Sequence, residues 1–475
     1  MSRLNRASLA SLPREVGRPA YDPASLATGV VHFGPGAFHR AHQADYFDRI
    51  AAQDRRWGIA AVSLRSPGTV QGLREQQGCY TRAILDEKPE YRVLAVHNRF
   101  FGPGDDAGVR TMLTHTAVRI VMSTVTEKGY CLGGDGTLDF SHADIVHDLA
   151  NPSQPRSLIG WLALGLSDRR RGGLPPFTPL ICDNMASNGR KLRAAVIAFS
   201  ERLDPELAKW IDGEVRFPCS MVDSITPATD DALRARVAEA IGVEDSIPVV
   251  RETYTQWVLE DCLPDDAPDF ASAGVVLSGD VADWERAKLR ILNGAHSTIA
   301  YTGLLMGHQT VADAMADPLL SGFIERMVRH DVIPTVGADF DLQAYATETL
   351  QRFRNPLIGH KLSQIAWDGS QKLPYRLLDT IGDSLTSGRS VERLSVPIAA
   401  WLAFVQSRAR EGIDIVDPLA GQLAEIGKGP ETDERLLDLR SVFPETLAND
   451  PRFRRPVLAA ASALRAGQFG ELLQL

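Results

Sequence analysis

Paired cysteines are missing from this sequence of 475 residues, because its five cysteines are widely separated and none forms a CxxC motif. An odd number of dispersed cysteines is typical of a reducing compartment and argues against a disulfide framework. Metal-ligand spacings are missing as well: His39 and His42 stand three residues apart, but no cysteine or carboxylate pattern completes a site around them. We therefore expect free thiols and no metal.

Long hydrophobic runs are also absent. The longest apolar stretch, residues 396–405, covers ten residues and includes a proline, whereas a membrane-spanning helix needs about 20 apolar residues. The first 23 residues contain neither a continuous apolar core nor a credible signal-peptide cleavage pattern. These absences predict a cytoplasmic protein without membrane contacts.

An excess of positive charge is lacking too. The chain has 51 Lys and Arg against 60 Asp and Glu, a net charge of −9, which argues against a nucleic-acid-binding protein. Its composition, 44% hydrophobic and 23% charged, is that of a soluble globular protein, and its length suggests two or three domains. We expect small-molecule partners.

Strand-like and helical segments alternate in the first half of the chain. Residues 28–40, TGVVHFGPGAFHR, combine a short apolar strand, a glycine turn and the start of a helix, and WGIAAVSLR at 57–65 follows as a second strand. Further strand candidates are residues 91–97, 117–125 and 177–184. This alternation predicts an α/β fold with a Rossmann-type, doubly wound and mostly parallel sheet.

Long helical segments dominate from about residue 282 onward, for example residues 284–305 and 396–411. The change in pattern predicts two domains. Residues 1–281 are expected to form a Rossmann-type domain, and residues 282–475 a mainly α-helical domain.

The glycine turn has the context of a dinucleotide fingerprint, because it follows a strand and opens a helix. Gly34 and Gly36 permit a tight turn and close approach of the backbone to a pyrophosphate. His39 occupies the place of the third glycine, so a purely structural Gly-Pro-Gly turn is an alternative. After the second strand the sequence has Arg65 instead of the acidic residue that binds the adenosine ribose. Arg65 is either a contact for a 2′-phosphate or an ordinary solvated arginine, and this leaves NAD or NADP open.

Three polar residues interrupt an otherwise apolar helical segment. Lys288, Asn293 and His296 stand at offsets of five and eight, and at about 100° per residue they share one broad face of an α-helix. Oxidation of a secondary alcohol needs a base for the hydroxyl proton and donors for the oxygen. A lysine with a lowered pKa, an amide and an imidazole meet that need. The alternative is a solvated lysine, a helix-capping asparagine and a buried structural histidine.

Motifs along nearly the whole chain resemble the polyol-specific long-chain dehydrogenases, the mannitol dehydrogenase family. The matching segments are VVHFGPGAFHRAHQADYFD, TVTEKGYCL, ICDNMASNG, FPCSMVDSITPAT, QWVLED, KLRILNGAHS, AYATETLQRFRNP and QIAWDGSQKLPYRLLD. So many matches in the same order are far more specific than the glycine turn alone. The resemblance implies that residues 1–281 are a Rossmann-type dinucleotide-binding domain and that residues 282–475 are a mainly helical substrate and catalytic domain. It also implies catalysis without a metal.

The resemblance also implies residue roles. Lys288 corresponds to the catalytic lysine, with Asn293 and His296 as its partners, and Asn184 and Asp223 match substrate-binding positions. A loop-forming Asn184 and a helix-capping Asp223 are the alternatives. The residues expected to contact the cofactor are Gly34, Gly36, Ala37, Phe38, Arg65 and Thr124.

The branch of the family depends on residues 364–376. Mannitol dehydrogenases have a substrate-binding arginine before the DGS segment, whereas this chain has Gln364. Its DGSQKLPYR segment looks like the fructuronate reductase version, in which Lys372 and Arg376 are candidates to hold a carboxylate. A surface or helix-terminal Arg376 is the alternative.

These observations together predict a reversible NAD(H)-dependent oxidoreductase that reduces D-fructuronate to D-mannonate, with NADP not excluded. The alternatives are a mannitol or other polyol 2-dehydrogenase, a tagaturonate reductase, and a non-catalytic dinucleotide-binding sensor. The expected partner is a sugar acid or polyol, and the expected state is a monomer or weak homo-oligomer.

Overall fold

The structure, a computed structural model, describes residues 2–86 and 88–475, apart from the side chains of Glu127 and Ile358. It divides into two compact units, Met1–Ala282 and Asp283–Leu475. No helix in the described part of the chain is long and apolar enough to cross a membrane.

The first unit is built on a parallel sheet. Its strands are β1 (Thr28–Phe33), β2 (Gly58–Val62), β3 (Tyr80–Ile84), β4 (Glu90–Leu94), β5 (His97–Phe101), β6 (Ile120–Ser123), β7 (Thr178–Ile181), β8 (Ser220–Asp223), β9 (Val249–Arg251), β10 (Gln256–Glu260) and β11 (Val276–Ser278). Five of them form a sheet in the order β5-β2-β1-β6-β7, and all neighbours are parallel. This sheet confirms the predicted fold class.

Helices cover both faces of this sheet, which is why every residue of β1, β2, β6 and β7 is buried. The helices of the unit are α1 (Ala37–Ala41), α2 (Gln43–Gln53), α3 (Gly68–Glu75), α4 (Asp106–Leu113), α5 (Ala143–Ala150), α6 (Leu158–Arg171), α7 (Asn188–Leu203), α8 (Pro205–Glu214) and α9 (Asp231–Ile241). Val31 of β1 lies in one core with Trp161 of α6, and its neighbour Val30 lies in another with Phe47 of α2. Burial of both faces holds the carboxyl end of β1, and hence the glycine turn, in place.

Two smaller sheets, β11-β10-β8 and β4-β3-β9, complete the unit and were not predicted. The single strand predicted at 91–97 is wrong, because β4 belongs to the second of these sheets and β5 to the parallel sheet. Val93, Leu94, Ala95 and Val96 are all buried, so the apolar pattern runs through the break. Hydrophobic periodicity therefore gives no sign that the chain changes sheets there.

Buried histidines fill the space beneath the glycine turn. His32 of β1, His39 of α1 and His97 of β5 are fully buried. The ring of His39 stacks on His32 with 3.4 Å between ring centroids, and its Nε2 lies 3.0 Å from Nε2 of His97. Burial lowers the pKa of His32 to about 3 and holds the pKa values of His39 and His97 well below the usual range. The group is neutral in the folded protein, and His39 fills the place of the third glycine with a ring.

We expect the melting temperature to fall as the pH falls below about 6.5. The unfolded chain binds protons at the histidines near pH 6.5, whereas the folded cluster does not. The neutral histidines therefore stabilise the folded state fully above pH 6.5. This stabilisation is lost as the pH falls toward their lowered pKa values in the folded protein. Each histidine contributes about 1.4 kcal/mol per pH unit in this window. Calorimetry between pH 8 and pH 4 measures the slope.

His97→Gln removes one buried titrating group, and we expect a shallower slope for this variant. His115→Gln, a change at an exposed histidine, is the matched control with an unchanged slope. A melting temperature that does not change over this pH range contradicts the neutral cluster.

The second unit is helical. Its helices, beginning with the one that runs across the unit boundary, are α10 (Val281–Ala287), α11 (Gly294–Leu305), α12 (Val311–Ala316), α13 (Pro318–Arg326), α14 (Ile333–Val336), α15 (Leu342–Phe353), α16 (Leu362–Ile365), α17 (Gly369–Leu373), α18 (Asp379–Thr386), α19 (Glu392–Glu411), α20 (Ala420–Lys428), α21 (Thr432–Leu437), α22 (Glu445–Ala448), α23 (Pro451–Arg465) and α24 (Phe469–Leu472). The buried helix α11 and the long helix α19 contribute to one large apolar core.

Three π-helical turns interrupt these helices: π1 (Lys288–Asn293), π2 (Met327–Val332) and π3 (Pro374–Leu378). Such turns are rare and often occur at functional sites. Two of the three carry predicted site residues. The expectation of a regular α-helix through Lys288 and Asn293 is therefore wrong, since π1 joins α10 to α11 there.

Candidate active site

The turn π1 changes the geometry of Lys288 and Asn293. In a π-helix the backbone bond joins residues i and i+5, so two residues five apart lie closer to one face than in an α-helix. Lys288 is 9% exposed, which excludes the solvated lysine. Asn293 makes no capping bond at the start of α11, so the capping alternative is also excluded. The wider turn brings the ammonium and the amide toward the same side of the helix.

His296 lies one turn further along, in α11, and is 7% exposed. Its ring stacks on Phe353 and meets the ring of His360 edge-on, each with 4.9 Å between centroids. The pKa of His296 is held well below its usual value, first by burial and then by His360, Arg376, Arg352 and Lys372. Its Nε2 atom is buried without a hydrogen-bond partner among the described residues. A neutral imidazole with one uncommitted nitrogen suits a bond to a substrate oxygen.

Arg376, on π3, lies near His296 and acts on its pKa. Its Nη1 donates to Ser297 Oγ at 3.1 Å, and its Nε is buried without a partner in the described part of the chain. Burial lowers the pKa of Arg376, although an arginine keeps its charge in proteins. The guanidinium is thus held next to α11 with hydrogen-bonding capacity left, so it is not a surface charge.

Lys372, at the end of α17, donates more hydrogen bonds within the protein than Arg376 does. Its ammonium donates to the backbone oxygens of Trp367 and Ile365. Burial and then the nearby Arg376 lower its pKa. Because an ammonium has three donors, two such bonds leave one for a ligand.

Gly294 allows the backbones of π3 and α11 to meet. A Cβ atom at this position would lie 2.9 Å from the carbonyl oxygen of Arg376. This close approach sets the arginine beside the helix that carries His296.

Two members of the cluster were not predicted. Arg352, in α15, is 8% exposed, and His360 follows it in the loop before α16. Burial and then Lys372 lower the pKa of His360, and its Nδ1 is buried without a partner among the described residues. Both residues follow or lie within the QRFRNP segment, which was recognised as a family motif without a role.

The other predicted substrate-binding residues differ in exposure and in the element that carries them. Gln364 is an exposed residue of α16. Asn184 is exposed in the loop after β7, and Asp223 is buried as the last residue of β8. A strand position excludes the capping role considered for Asp223. The substrate-binding roles of these three residues remain predictions.

The glycine turn has the shape that a dinucleotide needs. Gly34 has a φ of +82°, and a Cβ atom there would lie 2.4 Å from the oxygen of Thr124, so the position requires glycine. Gly36 is exposed, and a Cβ at this residue would meet no neighbour closer than 3.9 Å. The hydroxyl of Thr124 donates to the Gly34 oxygen at 2.7 Å. Ala37 and Phe38, both half-buried, begin the short helix α1.

His39 and His42 do not share a ligand position. Nε2 of His39 faces His97, whereas Nε2 of His42 lies 2.9 Å from the oxygen of Gln256. Arg65, the remaining predicted cofactor residue, is largely exposed and pairs with Asp144 of α5 at 2.7 Å. The contacts of the predicted cofactor residues with a dinucleotide remain predictions.

Known proteins are similar to this chain along nearly its whole length. Residues 28–271 match the mannitol dehydrogenase Rossmann domain, and residues 280–465 match the mannitol dehydrogenase C-terminal domain. D-mannonate oxidoreductase from Escherichia coli (strain K12) is 38% identical over 465 residues, which cover 94% of this chain and 96% of that protein. Polyol:NADP oxidoreductase from Gluconobacter oxydans is 35% identical over 419 residues, 86% of each protein. The ternary complex of Pseudomonas fluorescens mannitol 2-dehydrogenase with NAD and D-mannitol has a TM-score of 0.85, 33% identity and 99% coverage of both chains.

Proposed function

This chain belongs to the mannitol dehydrogenase family, and from that premise we propose that it reduces the keto group of an open-chain hexuronate. The proposed reaction is the reversible reduction of D-fructuronate to D-mannonate with NADH. Oxidoreduction at a CH–OH group is common to the relatives, and D-mannonate oxidoreductase is among them. The choice of an acid over a neutral sugar rests on the side chains around His296.

The observation that carries the proposal is the concentration of positive charge around a buried imidazole. Arg352, Lys372 and Arg376 all act on the pKa of His296. Burying charged groups is costly unless they find partners. Nε of the charged Arg376 lacks a hydrogen-bond partner among the described residues, as do Nε2 of the neutral His296 and Nδ1 of His360. A substrate carboxylate would accept a hydrogen bond from Arg376 and offset its charge, whereas a neutral polyol would not offset that charge.

The polar residues of π1 and α11 perform the proton chemistry. Asn293 and His296, the latter as the tautomer protonated at Nε2, donate hydrogen bonds to the substrate oxygen and stabilise the charge that develops on it. Lys288 gives a proton to that oxygen during reduction and takes it back during oxidation. The lowered pKa of His296 keeps its ring neutral, so the ring acts as a hydrogen-bond donor and leaves the proton transfer to lysine.

The first unit supplies a place for the dinucleotide. The exposed Gly36, with open space at its Cβ position, lets the backbone approach a pyrophosphate, and Gly34 fixes the turn. When bound, the nicotinamide supplies hydride in reduction and accepts it in oxidation. NAD is proposed as the cofactor because the Pseudomonas relative holds it.

The test is a comparison of NADH oxidation with D-fructuronate and D-fructose as substrates, without added metal. We expect kcat/KM to favour fructuronate at least 100-fold, which corresponds to about 2.7 kcal/mol of transition-state discrimination. The physical reason is the loss of one charge-assisted contact when the carboxylate is replaced by a hydroxymethyl group. D-tagaturonate serves as the stereochemical control.

Preference for fructose would move the assignment to a mannitol 2-dehydrogenase, the activity named for the Pseudomonas relative. Preference for tagaturonate would keep the acid specificity and change the stereochemistry. Binding of NADH without turnover of any sugar would favour a sensor.

A further inference from the structure

A surface cavity lies at the carboxyl end of β2. It has a volume of about 420 Å³, and its walls include Leu64, Arg65, Gly104, Asp106 and Asp144. In a Rossmann-type sheet the residue at the end of the second strand contacts the adenosine ribose of the dinucleotide. This chain has Arg65 in that region and no carboxylate between residues 63 and 68. The usual residue that rejects a 2′-phosphate is therefore missing from its usual place.

A carboxylate reaches the same cavity from elsewhere in the chain. Asp144 lies in the first turn of α5, where the positive end of a helix stabilises an acidic side chain. Its Oδ2 accepts a hydrogen bond from Nη2 of Arg65 at 2.7 Å. Arg65 is 78% exposed, whereas Asp144 is only 21% exposed, so the carboxylate is the anchored partner.

We propose that Asp144 determines the choice of NAD(H) over NADP(H), taking the role of the carboxylate that the end of β2 lacks. This inference rests on the proposed function, since it assumes that the cavity receives the adenosine end of the cofactor. Asp144 acts in two ways. It occupies the guanidinium of Arg65 that would otherwise bind a 2′-phosphate, and it places a negative charge where that phosphate would lie.

Arginine is well suited to phosphate, because its planar fork donates two parallel hydrogen bonds. The same residue therefore has opposite effects depending on its partner. Arg65 paired with Asp144 favours the unphosphorylated ribose, and Arg65 without that partner favours the phosphorylated one. A single isosteric change at residue 144 is enough to distinguish the two states.

The experiment measures dissociation constants for NADH and NADPH by fluorescence titration in the absence of sugar, and kcat/KM for both cofactors with D-fructuronate. We expect the unmodified protein to prefer NADH at least tenfold. In Asp144→Asn the ratio of NADPH to NADH affinity should rise at least tenfold. Adding Arg65→Ala to that variant should abolish most of the gain.

Asp231→Asn is the control, because Asp231 is 99% exposed in the first turn of α9 and does not line the cavity. We expect this change to leave the ratio within threefold. The inference is overturned by an Asp144→Asn ratio like that of the unmodified protein, by an equal gain in Asp231→Asn, or by a gain that survives loss of Arg65.

Measuring binding and turnover separately distinguishes a failure of the proposed reaction from a failure of the role proposed for Asp144. A protein that binds NADH and shows the shift in Asp144→Asn, but turns over no sugar, supports the role of Asp144 and refutes the proposed reaction. Turnover of fructuronate with an unchanged cofactor ratio in Asp144→Asn refutes only the role of Asp144. A protein that binds neither dinucleotide refutes both.

Discussion

Replacement of Lys288 by alanine is expected to lower kcat for fructuronate reduction by about 10³-fold, since general acid–base groups contribute about 10² to 10⁴. This corresponds to about 4 kcal/mol of lost transition-state stabilisation. The ammonium is the proposed proton donor, and the amide and imidazole that remain can polarise the carbonyl but do not supply that proton. Steady-state kinetics together with an NADH titration measure the effect.

Affinity for NADH should change less than threefold in Lys288→Ala, because the lysine acts on the sugar. Added methylamine should restore part of the lost rate, which a purely structural defect would not allow. Lys428→Ala, at an exposed lysine that ends α20, is the control with unchanged kcat. A Lys288→Ala protein that retains a tenth or more of kcat would rule out the proposed base.

Replacement of Arg376 by methionine should lower kcat/KM for D-fructuronate by about 100-fold, because a buried hydrogen bond to a charged group contributes about 1.5–3 kcal/mol. D-fructose has no carboxylate, and its kcat/KM should change less than fivefold. The measurement is the ratio of the two specificity constants, which cancels any general loss of folded protein.

Lys372→Met shows how the loss in kcat/KM for fructuronate at Lys372 compares with the loss at Arg376. Because its ammonium already donates to two backbone oxygens, we expect a smaller loss, about tenfold, since only one donor remains for a ligand. Arg376→Lys should recover part of the fructuronate activity, as it restores the charge without the two-pronged geometry. Equal losses on both sugars in Arg376→Met would show that the arginine has a structural role.

Local pattern was sufficient to predict the parallel sheet. The apolar run of β1, the glycines after it and the next strand are all adjacent in sequence, so their order implies a βαβ unit. The break between β4 and β5 was missed because the residues on both sides of it, 93–97, are all buried. A chain that leaves one buried layer for another keeps the same apolar composition, and only the tertiary pairing reveals the change.

The segment formed by π1 and α11 shows a different limit of prediction from sequence. Lys288, Asn293 and His296 are conspicuous as polar residues in an apolar segment, and the structure excludes the solvated lysine and the capping asparagine. The π-turn itself cannot be recognised in the sequence, since one added residue in a helical turn does not alter the amino-acid composition. Arg352 and His360 were missed because their closeness to His296 comes from packing between segments that are far apart in sequence.

The close contact at Gly294 has a consequence for how substrate preference changes within such a fold. Since the backbone of π3 rests against α11 with no room for a Cβ atom, a shift of the main chain around Arg376 would also move His296. New substrates are therefore more accessible through exchange of side chains at fixed backbone positions than through insertions or deletions in this segment. Laboratory evolution toward other sugars should accumulate point substitutions in residues 364–376 and leave the segment length constant.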